Sequence, residues 1–313
     1  MELRPLGFGE IFDRAVTLYI RNAVPFAAIV AMFVLPGAIL QYFLNRGSQP
    51  EFSALIQILS HPGKGYGRHI PTIFDSPSLI AIFIVSLLVS YLLWPFALNA
   101  VAVGVAAVYR NRPISFRACY AVVFRRWLQI FGVILVDLVV ALTWYAVLLI
   151  VTMAVVFAAT ILGKLTGLVT FWLWFGVIAV LLMVMASIPL LAILYVALTF
   201  SMYSVVLEEC GVLAALSLGF TRVFSRAEFW RSLLFAVAAG ATVVGGSMVF
   251  GVLGVAAAFA HLPGLQSIIN GLSGVVITPF AVVLLAVYYF DVRIRREGFD
   301  LEANLERLAA DAA

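Results

Sequence analysis

The sequence predicts an all-α integral membrane protein: six transmembrane helices in three two-helix repeats, each preceded by an interfacial amphipathic helix. Three observations carry that expectation. The chain has 313 residues, 65% hydrophobic and only 11% charged, with a mean hydropathy of +1.14. A soluble domain carries about 25% charged residues, so this chain cannot cover itself with polar surface and calls for lipid as its main solvent. Apolar runs long enough to cross about 30 Å of hydrocarbon recur along it. Short charged, amphipathic segments recur directly in front of alternate runs.

The qualifying runs are Ala23–Leu44, Leu79–Val108, Leu128–Leu162, Leu168–Leu207, Ser232–Ala260 and Leu265–Phe290. The fourth is too long for one perpendicular crossing, and reads either as one tilted, proline-bearing helix or as a hidden pair. Basic residues decide the count. With six spans, the segments 1–22, 109–127, 208–231 and 291–313 hold 15 Lys or Arg, and the opposite segments hold 4. The split follows the positive-inside rule with both termini cytoplasmic. A seventh span would put Arg293, Arg295 and Arg296 outside. The segment Met1–Arg21 is already charged and has no convincing cleavage site after it, so no signal peptide is expected.

The amphipathic segments are expected near 9–20, 115–126 and 212–224. In the first, Ile11, Phe12, Ala15, Val16 and Tyr19 form an apolar stripe opposite Glu10, Asp13, Arg14, Thr17 and Arg21. The second uses Phe116, Tyr120, Val123, Phe124 and Trp127, with Ser115 as N-cap. The third uses Leu213, Leu216, Phe220, Val223 and Phe224, and Ser225 with Glu228 is expected to form a capping box that starts the next span. Arg21, Arg126 and Arg226 close the three copies at spacings of 105 and 100 residues. Such helices lie in the membrane interface, apolar stripe toward acyl chains and arginines toward phosphates. Arg14, Arg21, Arg125, Arg126, Arg226 and Arg231 are the candidates for holding anionic headgroups, against plain topological anchoring.

A second marker keeps the period. WPFALNAVAVGVAAVY, IPLLAILYVALTFSMY and TPFAVVLLAVYYFDVR place Pro95, Pro189 and Pro279 in the second, fourth and sixth runs, 94 and 90 residues apart. A proline there frees a carbonyl one turn earlier and kinks the helix. The repeats run approximately over 7–108, 113–207 and 211–294 within a single membrane domain, with 295–313 as a cytoplasmic tail.

The opening RPLGFGEIFDRAVTLYIRN, the internal LSLGFTRVFSRAEFW and the close YYFDVRIRREGFDLE resemble a family of bacterial membrane proteins. That family carries the membrane domain of glycerophosphoryl diester phosphodiesterase. The resemblance implies an all-helical membrane domain without the catalytic barrel, and no residue here resembles that barrel's metal-binding acids and histidines.

Chemistry-bearing groups are sparse. His61, His69 and His261 fall in outer loops, no acids have metal-ligand spacing, and no cofactor is expected. The GKGYG turn lacks a P-loop ending. Cys119 and Cys210 lie in cytoplasmic connectors, where a disulfide is not expected. No nucleophile motif points to an intramembrane hydrolase. Asp137 stands alone within a span, with no other charge within ten residues. An ionised group there costs about 2.5–3.5 kcal/mol, so it must face protein or water. It is the first candidate for a functional site, or else a packing group bonded to Asn99 or Thr143. Asn99, four residues past Pro95, is the second.

The expected function is therefore non-enzymatic binding or movement of a lipid or small amphipathic molecule. A structural or accessory subunit of a larger membrane complex is the alternative, and an embedded hydrolase is disfavoured. Membrane lipids and a membrane-protein partner are the expected contacts; nucleic acid is not.

Overall fold

A computed structural model of the chain describes residues 5–47, 77–88, 91, 94–260 and 262–297. Among the described residues the structure is helical, with no strand. The helices are α1 (Phe8–Arg21), α2 (Ala23–Gly47), α3 (Pro77–Leu88), α4 (Trp94–Tyr109) and α5 (Phe116–Arg125). They continue with α6 (Trp127–Thr166), α7 (Val169–Leu207), α8 (Val212–Phe224), α9 (Phe229–Phe259) and α10 (Pro263–Glu297). Five of them, α2, α6, α7, α9 and α10, are long and apolar enough to cross a membrane.

The second expected run is described as α3 and α4, with residues 89–90 and 92–93 between them outside the described residues. Pro95 lies in α4. Pro189 and Pro279 lie inside α7 and α10 as expected. The fourth run is one continuous helix of 39 residues, without the break that a hidden pair would need.

The chain divides into two compact units. The first comprises residues 1–125 and 241–313. In it α10 packs on α2, α1 and α4, while α2 also packs on α3 and α4, and α5 packs on α4. Apolar side chains of α4 from Phe96 to Val105 and of α10 from Val282 to Val292 supply much of its buried core. The second unit is 126–240. There α6 and α7 form a long antiparallel hairpin and α8 packs along the C-terminal half of α7. Residues Val196–Val206 of α7 are buried without interruption.

The connectors have local causes. After α4 the amide of Arg112 donates to Ala107 O (2.8 Å) and that of Asn111 to Val108 O (3.0 Å). Asn111 is left-handed (φ 55). This is a Schellman closure with asparagine, the residue that tolerates that region best after glycine. Glu209, two residues past α7, takes the same conformation (φ 56). The α6–α7 turn uses Gly167 at φ 71, which a side chain would strain.

Candidate functional site

The short helices α1, α5 and α8 occupy the expected positions; α1 and α5 bury one edge of the predicted stripe, and α8 buries the face beside it, sharing only Val223. Helix α1 buries Ile11, Ala15 and Leu18, while Phe8, Val16 and Ile20 on the adjoining edge stay exposed. Helix α5 buries Cys119, Tyr120 and Val123 and leaves Phe116 and Phe124 exposed. Helix α8 buries Ala215, Gly219, Arg222 and Val223, and Leu213 is 83% exposed. Small residues let two backbones approach closely, so they sit at the contact while the bulkier apolar groups turn outward. Val16 and Leu213, both on the expected apolar stripes, are on the open edge.

Each short helix is tied down by polar groups. On α1, Tyr19 Oη donates to Val276 O (2.8 Å), three residues before Pro279 on α10, and its ring packs edge-on against Phe280. On α5, Tyr120 Oη donates to Ile29 O of α2 (2.7 Å). On α8, Arg222 is 2% exposed and grips Glu208 with two nitrogens, Nη1 to Oε1 at 2.6 Å and Nη2 to Oε2 at 2.9 Å. Its Nη1 also donates to Ser204 Oγ (2.8 Å), whose own hydroxyl donates to Phe200 O. The thiol of Cys210 donates to Ser204 O.

A second buried charge sits at the end of α10. Asp291 is 1% exposed; its carboxylate accepts the Leu6 amide (2.6 Å) and Arg295 Nε (3.1 Å). Arg295 Nη2 in turn donates to Leu6 O. One turn of α10 thus reads both main-chain groups of Leu6. Arg14 of α1 lies against the Tyr109 hydroxyl, which also feels Asp291, and Arg14 Nη1 is buried without an acceptor among the described residues.

The other sequence candidates are dispersed. Arg21, Arg125 and Arg226 are exposed. Arg126 pairs with Glu209 (2.6 Å) and Arg231 with Glu228 (3.4 Å). Asp137 is half-buried on α6, within electrostatic range of Tyr195 on α7, and Tyr195 shares a hydrogen bond with Thr199. Thr143 does not serve Asp137 here; its hydroxyl donates to Val139 O of its own helix. Asn99 is fully buried; its Nδ2 donates to Pro95 O (2.8 Å), and its Oδ1 has no donor among the described residues. Ser225 does not complete the expected capping box: its Oγ lacks a partner among the described residues, and the Glu228 and Phe229 amides bond to its carbonyl instead. Ser115 does cap α5 loosely, accepting the Ala118 amide at 3.5 Å. His61, His69, His261 and the GKGYG turn lie outside the described residues.

Sequence reasoning missed Arg222, Glu208, Ser204, Asp291 and Tyr195. A signal for Arg222 was present: it is in helical phase with the small residues Ala215 and Gly219, so a charge sat on the close-contact face. No group of three or more His, Cys, Asp or Glu among the described residues is placed to hold a metal. Both cysteines are free, Cys119 buried and Cys210 partly so. No family model matches the chain, and no match is found among curated proteins or solved structures.

Proposed function

We propose that this chain is a non-enzymatic polytopic protein of the bacterial inner membrane that binds or moves a lipid or small amphipathic molecule. In this reading it has six spans in three repeats, with both termini cytoplasmic. The observation that carries it is the division of the short helices α1 and α5 into three faces. One edge is docked on a long helix, the next is exposed and apolar (Phe8, Val16 and Ile20 on α1), and the third bears charge. A helix at home in water would not keep that middle edge exposed; one lying in a lipid interface would. Arg21, Arg125 and Arg226, exposed at or just beyond the ends of these helices, suit anionic headgroups.

Support for the repeat is local. The single residues that separate α1 from α2 and α5 from α6 share a conformation, Asn22 at φ −128, ψ 29 and Arg126 at φ −112, ψ 21. Asn111 and Glu209 share the left-handed connector geometry. Each short helix packs on a proline-bearing helix: α1 on α10, α5 on α4, α8 on α7.

Native mass spectrometry of the detergent-purified chain tests the function. Copurifying lipid that is lost when Arg21 and Arg226 are both replaced by Gln supports it. A lipid-free chain in stable complex with another protein would favour the accessory-subunit alternative. Cysteine labelling from the two sides tests the topology, and positions 112 and 296 found on opposite sides would end it.

A further inference from the structure

The α6–α7 hairpin is too long for the membrane that the proposed function assumes. Helix α6 has 40 residues and α7 has 39, about 60 Å each at 1.5 Å per residue. The outward-facing apolar parts are residues 135–165 of α6 and 169–195 of α7, about 46 and 40 Å at 1.5 Å per residue. At the average tilt of about 20° they still stand about 44 and 38 Å tall against a hydrocarbon core of about 30 Å. Charged residues offer no place to stop early: Lys164 is the only one between Asp137 and Glu208.

The distal half of the hairpin is also apolar on its outward sides. On α6, Leu149 and Ile150 are 61% and 66% exposed, and Val151 beside them is also exposed. On α7, Leu173, Trp174 and Phe175 are consecutive and exposed. Successive helical residues point about 100° apart, so each arm shows more than half its circumference. A protein partner that packs on one face would leave the opposite face in water. A fluid of acyl chains covers all faces at once.

The arms are not free to splay. A Cβ on Gly163 would stand 2.9 Å from Val169 Cα, and one on Gly176 would stand 3.1 Å from Ala159 Cβ. Trp172 Nε1 donates to Thr166 Oγ1 (2.9 Å) across the turn. The hairpin is a stiff apolar rod, and its environment must adjust to it.

We infer that the hairpin is an interaction surface for long acyl chains, holding a thickened collar of lipid around its distal half. The inference rests on the membrane reading above and adds to it a preference in chain length. A hydrophobic segment longer than the bilayer costs a fraction of a kcal/mol per Å of mismatch, which longer chains relieve.

The test is reconstitution of the full chain into vesicles of one headgroup composition, phosphatidylcholine with phosphatidylglycerol, carrying myristoleoyl, oleoyl or erucoyl chains. Quenching of the tryptophans by a brominated lipid of each chain length reports relative occupancy. The expected result is occupancy rising from the shortest to the longest chain by roughly threefold or more. A chain lacking Val147–Met153 and Leu182–Ile188, one heptad from each arm, should shift the preference to shorter chains. If that variant fails to fold, Phe157→Cys gives the second measurement. No reaction with a membrane-impermeant maleimide in erucoyl vesicles supports the collar, and fast reaction there overturns it. Equal occupancy across the three lengths, with the chain firmly in the vesicles, overturns this inference alone. A chain that floats with none of the vesicles would sink the membrane reading as well.

Discussion

Arg222 and Glu208 meet in a two-point ion pair, 2.6 and 2.9 Å, that locks the amphipathic α8 onto the end of α7. The side chains are 2% and 16% exposed, so water screens the pair little. Breaking such a pair by removing one partner leaves a desolvated charge, at a cost of about 3–5 kcal/mol. Glu208→Gln or Arg222→Ala should therefore lower the unfolding temperature strongly in detergent. The double variant Glu208→Leu with Arg222→Met, which leaves no orphan charge, should recover much of the loss. A double variant as unstable as the sum of the singles would contradict this account.

Gly219 is the contact point of the same helix pair. A Cβ there would lie 2.6 Å from Ala197 O and 2.7 Å from Ser201 N, both main-chain atoms that cannot rotate away. Gly219→Ala should destabilise by about 1–3 kcal/mol through overpacking. Gly9→Ala, with nothing within 4 Å of the added carbon, should be neutral or slightly stabilising. Equal melting temperatures for the two variants would refute the close crossing.

Asp291 holds the start of the described chain. Asp291→Ala leaves the buried Leu6 amide without its acceptor, a loss of about 1–3 kcal/mol. Hydrogen exchange at residues 6–10 should accelerate, while the α6–α7 hairpin should keep its protection. Unchanged exchange at Leu6 would show that the clamp does not hold α1.

Alkali should unfold the protein early. Burial pushes the thiols of Cys119 and Cys210 above their ordinary value of 9.0, with Glu208 adding to the rise at Cys210. Burial also pushes the phenols of Tyr19 and Tyr120 above 10.0. The folded state therefore holds these protons more tightly than the unfolded one. Their contribution is complete below the ordinary values and is lost as pH rises through the folded ones. The melting temperature should stay level near neutrality and fall above about pH 9–10. A rise in stability over that window would contradict the assignment. At neutral pH, Cys119 should resist maleimide until the protein unfolds, and Cys210 should react first.

Composition and period by themselves determined much of this protein's architecture. Long unbroken runs such as Leu128–Leu162 can bury their backbone polar groups only as helices, so α6 and α7 were legible. The 3.6-residue alternation of acids, arginines and apolar groups located α1, α5 and α8 to within a few residues. Only the tertiary structure decided which edge of each short helix is buried. Periodicity marks an apolar arc, but close approach selects small residues in it or beside it, Ala15 on α1 and Gly219 on α8. It also decided that α7, which carries Pro189, runs as one continuous helix. The partners of Arg222 and Asp291 were equally hidden. Glu208 lies 14 residues from Arg222 and Leu6 lies 285 from Asp291, and such bonds depend on how helices pack rather than on local spacing.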